Sequence, residues 1–174
     1  MSTELHALSA LLSNSTAFPN LRPERIAPST YYDLQYRSAV VAATIQINGK
    51  TEGAFRKIQS ARLRLFQFVA MRPWLLAAVR EWSAARKDRR RSLESVQSLR
   101  RGFLNDSMHD AVIDYLAAAG YIFKQRGNIA FPAQGAPLAR LFDELETNHL
   151  FDAEKTTLLS LSEIVITNDM LEGW

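Results

Sequence analysis

Residues 103–131 read FLNDSMHDAVIDYLAAAGYIFKQRGNIAF, and this stretch decides the fold class. Asp106 or Ser107 can cap a helix, because a short oxygen-bearing side chain satisfies the free N–H groups of a first turn. Met108, Ala111, Val112, Tyr115, Leu116 and Ala119 then recur at spacings of 3, 1, 3, 1 and 3, as an amphipathic helix requires. Gly120 is the stop signal. Two β runs follow, Tyr121–Phe123 and Asn128–Phe131, joined by the basic turn Lys124-Gln125-Arg126-Gly127.

Helix, glycine, strand, basic turn and strand, in that order, predict the tail of a winged helix-turn-helix unit. Upstream, residues 54–70 read as one helix, with Phe55, Ile58, Leu65, Phe66 and Val69 on an apolar face. Arg56, Lys57, Arg64 and Gln67 fall on its polar face. Pro73 stops that helix and sits near the first turn of the next, whose buried face is Trp74, Leu75, Ala78, Val79 and Trp82. Ser92 can cap a short helix with Val96 and Leu99 inward, and Gly102 ends it.

Downstream, Ala136–Leu145 carries Leu138, Leu141, Phe142 and Leu145 at helical spacing. Asp152 caps a last helix with Leu158, Leu159, Leu161, Ile164 and Val165. The tail Asn168–Trp174 is expected to be loosely held.

The first 53 residues read as a helical arm and linker. Ser2–Ser13 is a short helix through Leu5, Leu8 and Leu12, and Pro19, Pro23 and Pro28 make the following connector extended. Thr30–Ile47 carries a helical stripe of Tyr32, Tyr36, Ala39, Val40, Ala43 and Ile47. Ala43–Ile47 with Asn48-Gly49 also fits a strand entering a hairpin, and length favours the helix. The expected fold is mainly α: a helical arm over residues 1–53, then a winged-helix-like domain over 54–174 with one small two-stranded hairpin near 121–131.

Composition narrows the chemistry. Apolar residues are 47% of the 174, enough for a single core, and charged residues are 22%. The absence of cysteine excludes a disulfide scaffold, a thiolate zinc site and a cysteine nucleophile. His6, His109 and His149 lack metal-ligand spacing, the seven glycines form no phosphate loop, and no serine sits in a glycine-flanked elbow. Asp106/Asp110 and Asp110/Asp114 stand one helical turn apart and could serve as acid and base. The plainer reading is a solvated face complementing a helix N-terminus, with His109 as a surface histidine beside it. No catalysis, cofactor or metal is therefore expected. Met1–Leu12 lacks the basic start and apolar run of a secretory peptide, and no run of about 18 apolar residues could span a membrane. A cytoplasmic protein without membrane contact is the expectation.

Charge is unevenly spread. The net charge is +3, but residues 54–101 hold thirteen basic and three acidic side chains while residues 102–174 hold four and eleven. Arg86, Lys87, Arg89, Arg90 and Arg91 place five cations in six positions, which suits a polyanion or an acidic protein surface. A solvated loop is the bland alternative. With Arg100, Arg101 and the wing-tip Lys124 and Arg126, these are the candidate DNA-binding residues. The helix in the recognition position is different: Asp106, His109, Asp110 and Asp114 form its polar face, without lysine or arginine. Such a face would meet phosphate repulsion in a major groove and could not make arginine–guanine contacts. Protein docking suits it better than operator reading.

With the segments Phe55-Arg56-Lys57-Ile58 and Arg62-Leu63-Arg64-Leu65-Phe66, the helix start Pro73-Trp74-Leu75-Leu76 and the late hairpin, the chain resembles the middle components of bacterial three-component ABC-ATPase systems, including Lamassu-type antiviral defence. The resemblance is one of size, element order and the 103–131 pattern, over roughly two thirds of the chain. It carries over no site residues. It implies a non-catalytic subunit of a hetero-oligomer, joining an SMC/Rad50-like ATPase to an effector, often a nuclease, in anti-phage or anti-plasmid defence. Its DNA contact would be independent of sequence. A winged-helix transcriptional regulator is the alternative reading.

Overall fold

The segment LQYRSAVVAATIQIN has small or apolar residues on every side, and a helix of that kind has to be buried all round. In the computed structural model it forms α1 (Leu34–Asn48), with every residue from Arg37 to Ile45 buried. The structure describes residues 34–85, 94–104, 106, 108–132, 140 and 151–172. The expected elements at 2–13, 14–29 and 136–145, the basic run 86–91 and Trp174 lie outside those residues, apart from Arg140, which is helical.

After α1 the chain forms β1 (Lys50–Glu52) and β2 (Phe55–Gln59), then α2 (Ser60–Ala70). A 3-10 turn at Pro73–Leu75 leads into α3 (Leu76–Ala84). Next come α4 (Glu94–Leu104), α5 (Met108–Ala118), β3 (Phe123–Gln125) and β4 (Asn128–Pro132). The last described elements are α6 (Asp152–Ser162) and α7 (Asn168–Glu172). The protein is mainly α, as expected.

The sheet departs from expectation in extent. The hairpin near 121–131 is present, but it is half of a four-stranded antiparallel sheet of order β1-β2-β4-β3. Residues 55–59, expected to open a helix, are instead the strand β2, and the helix begins only at Ser60. The cause is a pairing far along the chain: Phe55 stands opposite Pro132 and Gln59 opposite Asn128. The β1–β2 connection is Gly53-Ala54, with Gly53 at φ 62, the glycine-first pattern of a two-residue II′ hairpin. The division expected at residue 53 thus runs through a hairpin turn. In the second hairpin, strand β3 starts at Phe123 rather than Tyr121, and only Arg126 and Gly127 turn the chain. Both have positive φ, 46 and 79, as a type I′ turn requires.

Two apolar clusters lie on either side of α1. Ala39, Val41, Ala42 and Ile45 pack with Ile58, Ile129 and Phe131 of the sheet and Val112, Ile113 and Leu116 of α5. Val40 and Ala43 face the other cluster, built from α2, α3, α4, α6 and α7. Tyr36 ties α1 to α6: its ring stacks on Phe151, centroids 5.3 Å apart, and its hydroxyl donates to Glu154 Oε1 at 2.6 Å.

Several faces differ from their sequence assignment. On α5 the buried residues are His109, Val112, Ile113 and Leu116, one step around from the expected stripe, and Tyr115 and Ala111 are exposed. Gln67 is buried in α2 and Phe55 is 40% exposed. Trp74 is largely exposed while Ala78 and Val79 go inward; Leu159 and Val165 are exposed while Leu158 and Leu161 are buried. Gly102 lies inside α4, not at its end. The reason is packing: a Cβ there would stand 2.9 Å from Phe68 Cζ. The tail forms α7, anchored by the buried Leu171.

Candidate functional site

Strand alternation and register divide the sheet into two faces. Ile58, Ile129 and Phe131 point to α1 and α5 in the core. On the opposite face, Gln59, Asn128 and Gln125 form one row at the Arg126-Gly127 end, since Gln59 and Gln125 both pair with Asn128. Lys50, Lys57, Ala130 and Phe123 form the next row. Glu52, Phe55 and Pro132 form the third.

A cleft of about 600 Å³ opens over the first of these rows. Its walls come from the end of α1 (Asn48), the start of α2 (Arg62), the start of α7 (Asn168) and the β3–β4 turn (Arg126, Gly127). Its electrostatics are one-sided: among the described residues Lys50, Lys57, Arg62 and Arg126 line it against the acid Glu52. Lys57 Nζ is 3.0 Å from Glu52 Oε2, so among the described residues Lys50, Arg62 and Arg126 line the cleft without a carboxylate in ion-pair reach.

Hydrogen bonding in the cleft wall is incomplete. Asn48 Nδ2 donates to the Leu158 carbonyl at 3.0 Å, while its Oδ1 is buried without a partner. Arg62 donates through Nη2 to the Ile166 carbonyl, while its Nε is buried and unpartnered. Gln59 Oε1 is likewise unpartnered. These three atoms lie beneath the cleft surface, and the polar groups open to a ligand are those of the lining side chains. With Gln125, Asn128 and Asn168, the cleft offers both donors and acceptors beside positive charge. It can hold an anionic group and hydrogen-bond a polar one.

Next to the cleft on the same face, Phe55 and Phe123 are exposed by 40% and 49%, and their rings meet edge to face with centroids 6.1 Å apart. Phe123 stands opposite the buried Ala130, and Phe55 lies diagonally across from it on β2.

The α5 region is organised differently. Asp106, expected on the polar face, is buried just before α5 and paired with the buried Arg37 at 2.9 Å. His109, expected at the surface, is 2% exposed, and its Nδ1 lies 2.5 Å from Gln67 Oε1. Burial, reinforced by the nearby Arg64 guanidinium, lowers its pKa from 6.5 to about 4, so the ring is neutral. Asp110 and Asp114 are exposed, and each has a basic neighbour: Arg64 at 3.8 Å and Lys124 respectively. Among the described residues, no three His, Asp or Glu side chains come together to hold a metal ion.

The sequence-predicted DNA-binding residues are not gathered into one site. Arg86, Lys87, Arg89, Arg90 and Arg91 lie outside the described residues. Arg100 and Arg101 are exposed on α4, which packs on α2 and α3 rather than on the sheet. Lys124 turns toward α5 and Asp114, whereas Arg126 lines the cleft. Sequence reasoning missed Lys50, Gln59, Arg62, Phe55 and Phe123 as a group. The signal was the alternation Phe55-Lys57-Gln59 and Phe123-Gln125, hidden by the helical reading of 54–70. Comparison of the chain with protein-family models, curated proteins and solved structures gave no match.

Proposed function

We propose that the protein is a non-catalytic accessory subunit that bridges an SMC/Rad50-like ATPase to an effector in a bacterial anti-phage or anti-plasmid complex, with DNA contact independent of sequence. The observation that supports this reading most is the outward face of α5. The helix between the α4 turn and the β3–β4 hairpin presents Asp110 and Asp114, paired with Arg64 and Lys124, and carries no lysine or arginine of its own. A helix without free cations has nothing to offer phosphate and suits a polar protein surface. The exposed Arg100 and Arg101 of α4 and the basic run 86–91 would supply the phosphate contacts.

The test is co-expression of the full chain with the ATPase and effector candidates encoded beside it, followed by purification through a tag on this chain. Recovery of a stoichiometric complex is expected. Its loss on reversing Asp110 and Asp114 to lysine would place α5 in the interface. Failure to recover either partner, together with a tight sequence-selective duplex complex of the isolated chain, would establish the transcriptional-regulator reading instead.

A further inference from the structure

From the outer face of the sheet we infer that the protein holds single-stranded nucleic acid, with a phosphate in the cationic cleft and a base on the Phe55–Phe123 pair. The inference goes beyond the bridging role and stands without it, because it rests on a different surface from α5.

Three observations converge. The first is charge: among the described residues Lys50, Arg62 and Arg126 line the cleft without an ion-paired acid, and Arg62 and Arg126 bring planar guanidinium groups suited to phosphate oxygens. The second is a row of carboxamides: Gln59, Asn128 and Gln125 stand side by side across the sheet at the cleft floor. Carboxamides present a donor and an acceptor side by side, the arrangement that matches the edge of a base. The third is the aromatic pair. Phe123 is two residues before Gln125 on β3, so its ring stands one step along the same face from the carboxamide row, and Phe55 lies beyond Ala130. Exposed rings on a sheet, beside a positive groove that tracks a backbone, are the two components that bind single strands, since every base has a π-face.

The cleft volume, about 600 Å³, falls within the range of small-ligand sites, so a free nucleotide would present the same chemistry. The platform continues past the cleft to a second aromatic ring, and that length favours a strand. A rigid duplex offers its bases only by their edges and cannot stack on Phe55 or Phe123.

The test uses the full chain and a fluorescently labelled oligo-dT of about a dozen nucleotides, within the usual footprint of about 4–16. Binding is followed by anisotropy over a series of salt concentrations. Phe55→Ala with Phe123→Ala should weaken binding about five- to hundredfold with little change in salt slope, because stacking and not charge is lost. Lys50→Gln with Arg126→Gln should lower the salt slope by about 0.7 for each phosphate contact removed. Phe55→Tyr with Phe123→Tyr keeps the stacking surface and should bind as the parent does; circular dichroism confirms that each variant is folded. All variants retain the basic run 86–91, so a contribution from it cancels. Equal affinity for duplex and single strand, or unaltered binding by the folded Phe→Ala variant, would overturn the inference. AMP binding as tightly as the oligonucleotide would overturn the strand and make the cleft a mononucleotide site.

Discussion

Arg37 Nη1 lies 2.9 Å from Asp106 Oδ1 and 3.1 Å from Oδ2, with the two side chains 2% and 6% exposed. This pair ties the central helix α1 to the turn between α4 and α5, and Arg64 adds a bond to the Asp106 carbonyl at 3.2 Å. A well-packed apolar pair is often as stable as a buried ion pair or more so, but removing one partner leaves the other charge in the core without its counter-ion. Asp106→Ala is therefore expected to cost about 3–5 kcal/mol in urea unfolding, while Arg37→Met combined with Asp106→Leu costs far less. Equal losses from the single and double changes would show that shape, not charge pairing, matters at this position.

His109 makes stability depend on pH. Its folded pKa of about 4 lies below the unfolded value of 6.5, so the unfolded chain binds the proton more readily. The contribution is complete above pH 6.5 and is lost as pH falls from there toward 4. Linkage gives a loss of about 2 kcal/mol at pH 5 relative to pH 7. His109→Gln should flatten that part of the profile, leaving the carboxylate titrations below it. Parallel stability curves for the two proteins between pH 7 and pH 5 would sink the assignment.

Local patterns made the α5–β3–β4 order legible, because a helix stop at Gly120 and a turn at Arg126-Gly127 are written in neighbouring residues. The burial of α1 was half legible: its run of small and apolar residues marks a helix but not which clusters it divides. Residues 55–59 were misread for a physical reason. Phe55 and Ile58 are three apart, a helical spacing, and only the distant pairing with Asn128–Pro132 makes the segment a strand. That error hid the cleft, whose lining comes from α1, both hairpins, α2 and α7. His109 and Asp106 misled similarly, since titratable residues on a polar-looking face gave no sign of Gln67 and Arg37 opposite them.

Gly102 tests the packing between α2 and α4. In an exposed helix interior, Gly→Ala stabilises by about 1 kcal/mol. Here the new methyl would meet Phe68 Cζ at 2.9 Å, and that ring is 3% exposed and held edge to face by Phe103 at 6.3 Å. Overpacking of this kind costs about 1–3 kcal/mol, so Gly102→Ala is expected to give no gain and a net loss of up to about 2 kcal/mol. Phe68→Leu in the same chain should restore part of it. A rise in the melting temperature of Gly102→Ala alone would contradict the close approach.

Arg126 sets conformation against charge. It occupies the first central position of the β3–β4 turn at φ 46, where a long side chain has no conformational preference and asparagine is favoured. Its guanidinium is exposed at the cleft, which no local folding rule demands. Arg126→Asn keeps the turn, with Gly127 still at φ 79, and relieves the strained backbone, so stability should rise by about 0.5–1 kcal/mol. The same change removes one of the cations that line the cleft. Oligonucleotide binding should weaken, and its salt slope should fall by about 0.7, the share of one phosphate on a single strand. Replacing Gly127 separates the two effects: Gly127→Ala forces a side chain into the positive-φ region, lowers stability by about 1 kcal/mol and leaves the cations in place. A stabilised Arg126→Asn protein that binds the strand with unchanged affinity and slope would show that the arginine serves neither the turn nor the cleft.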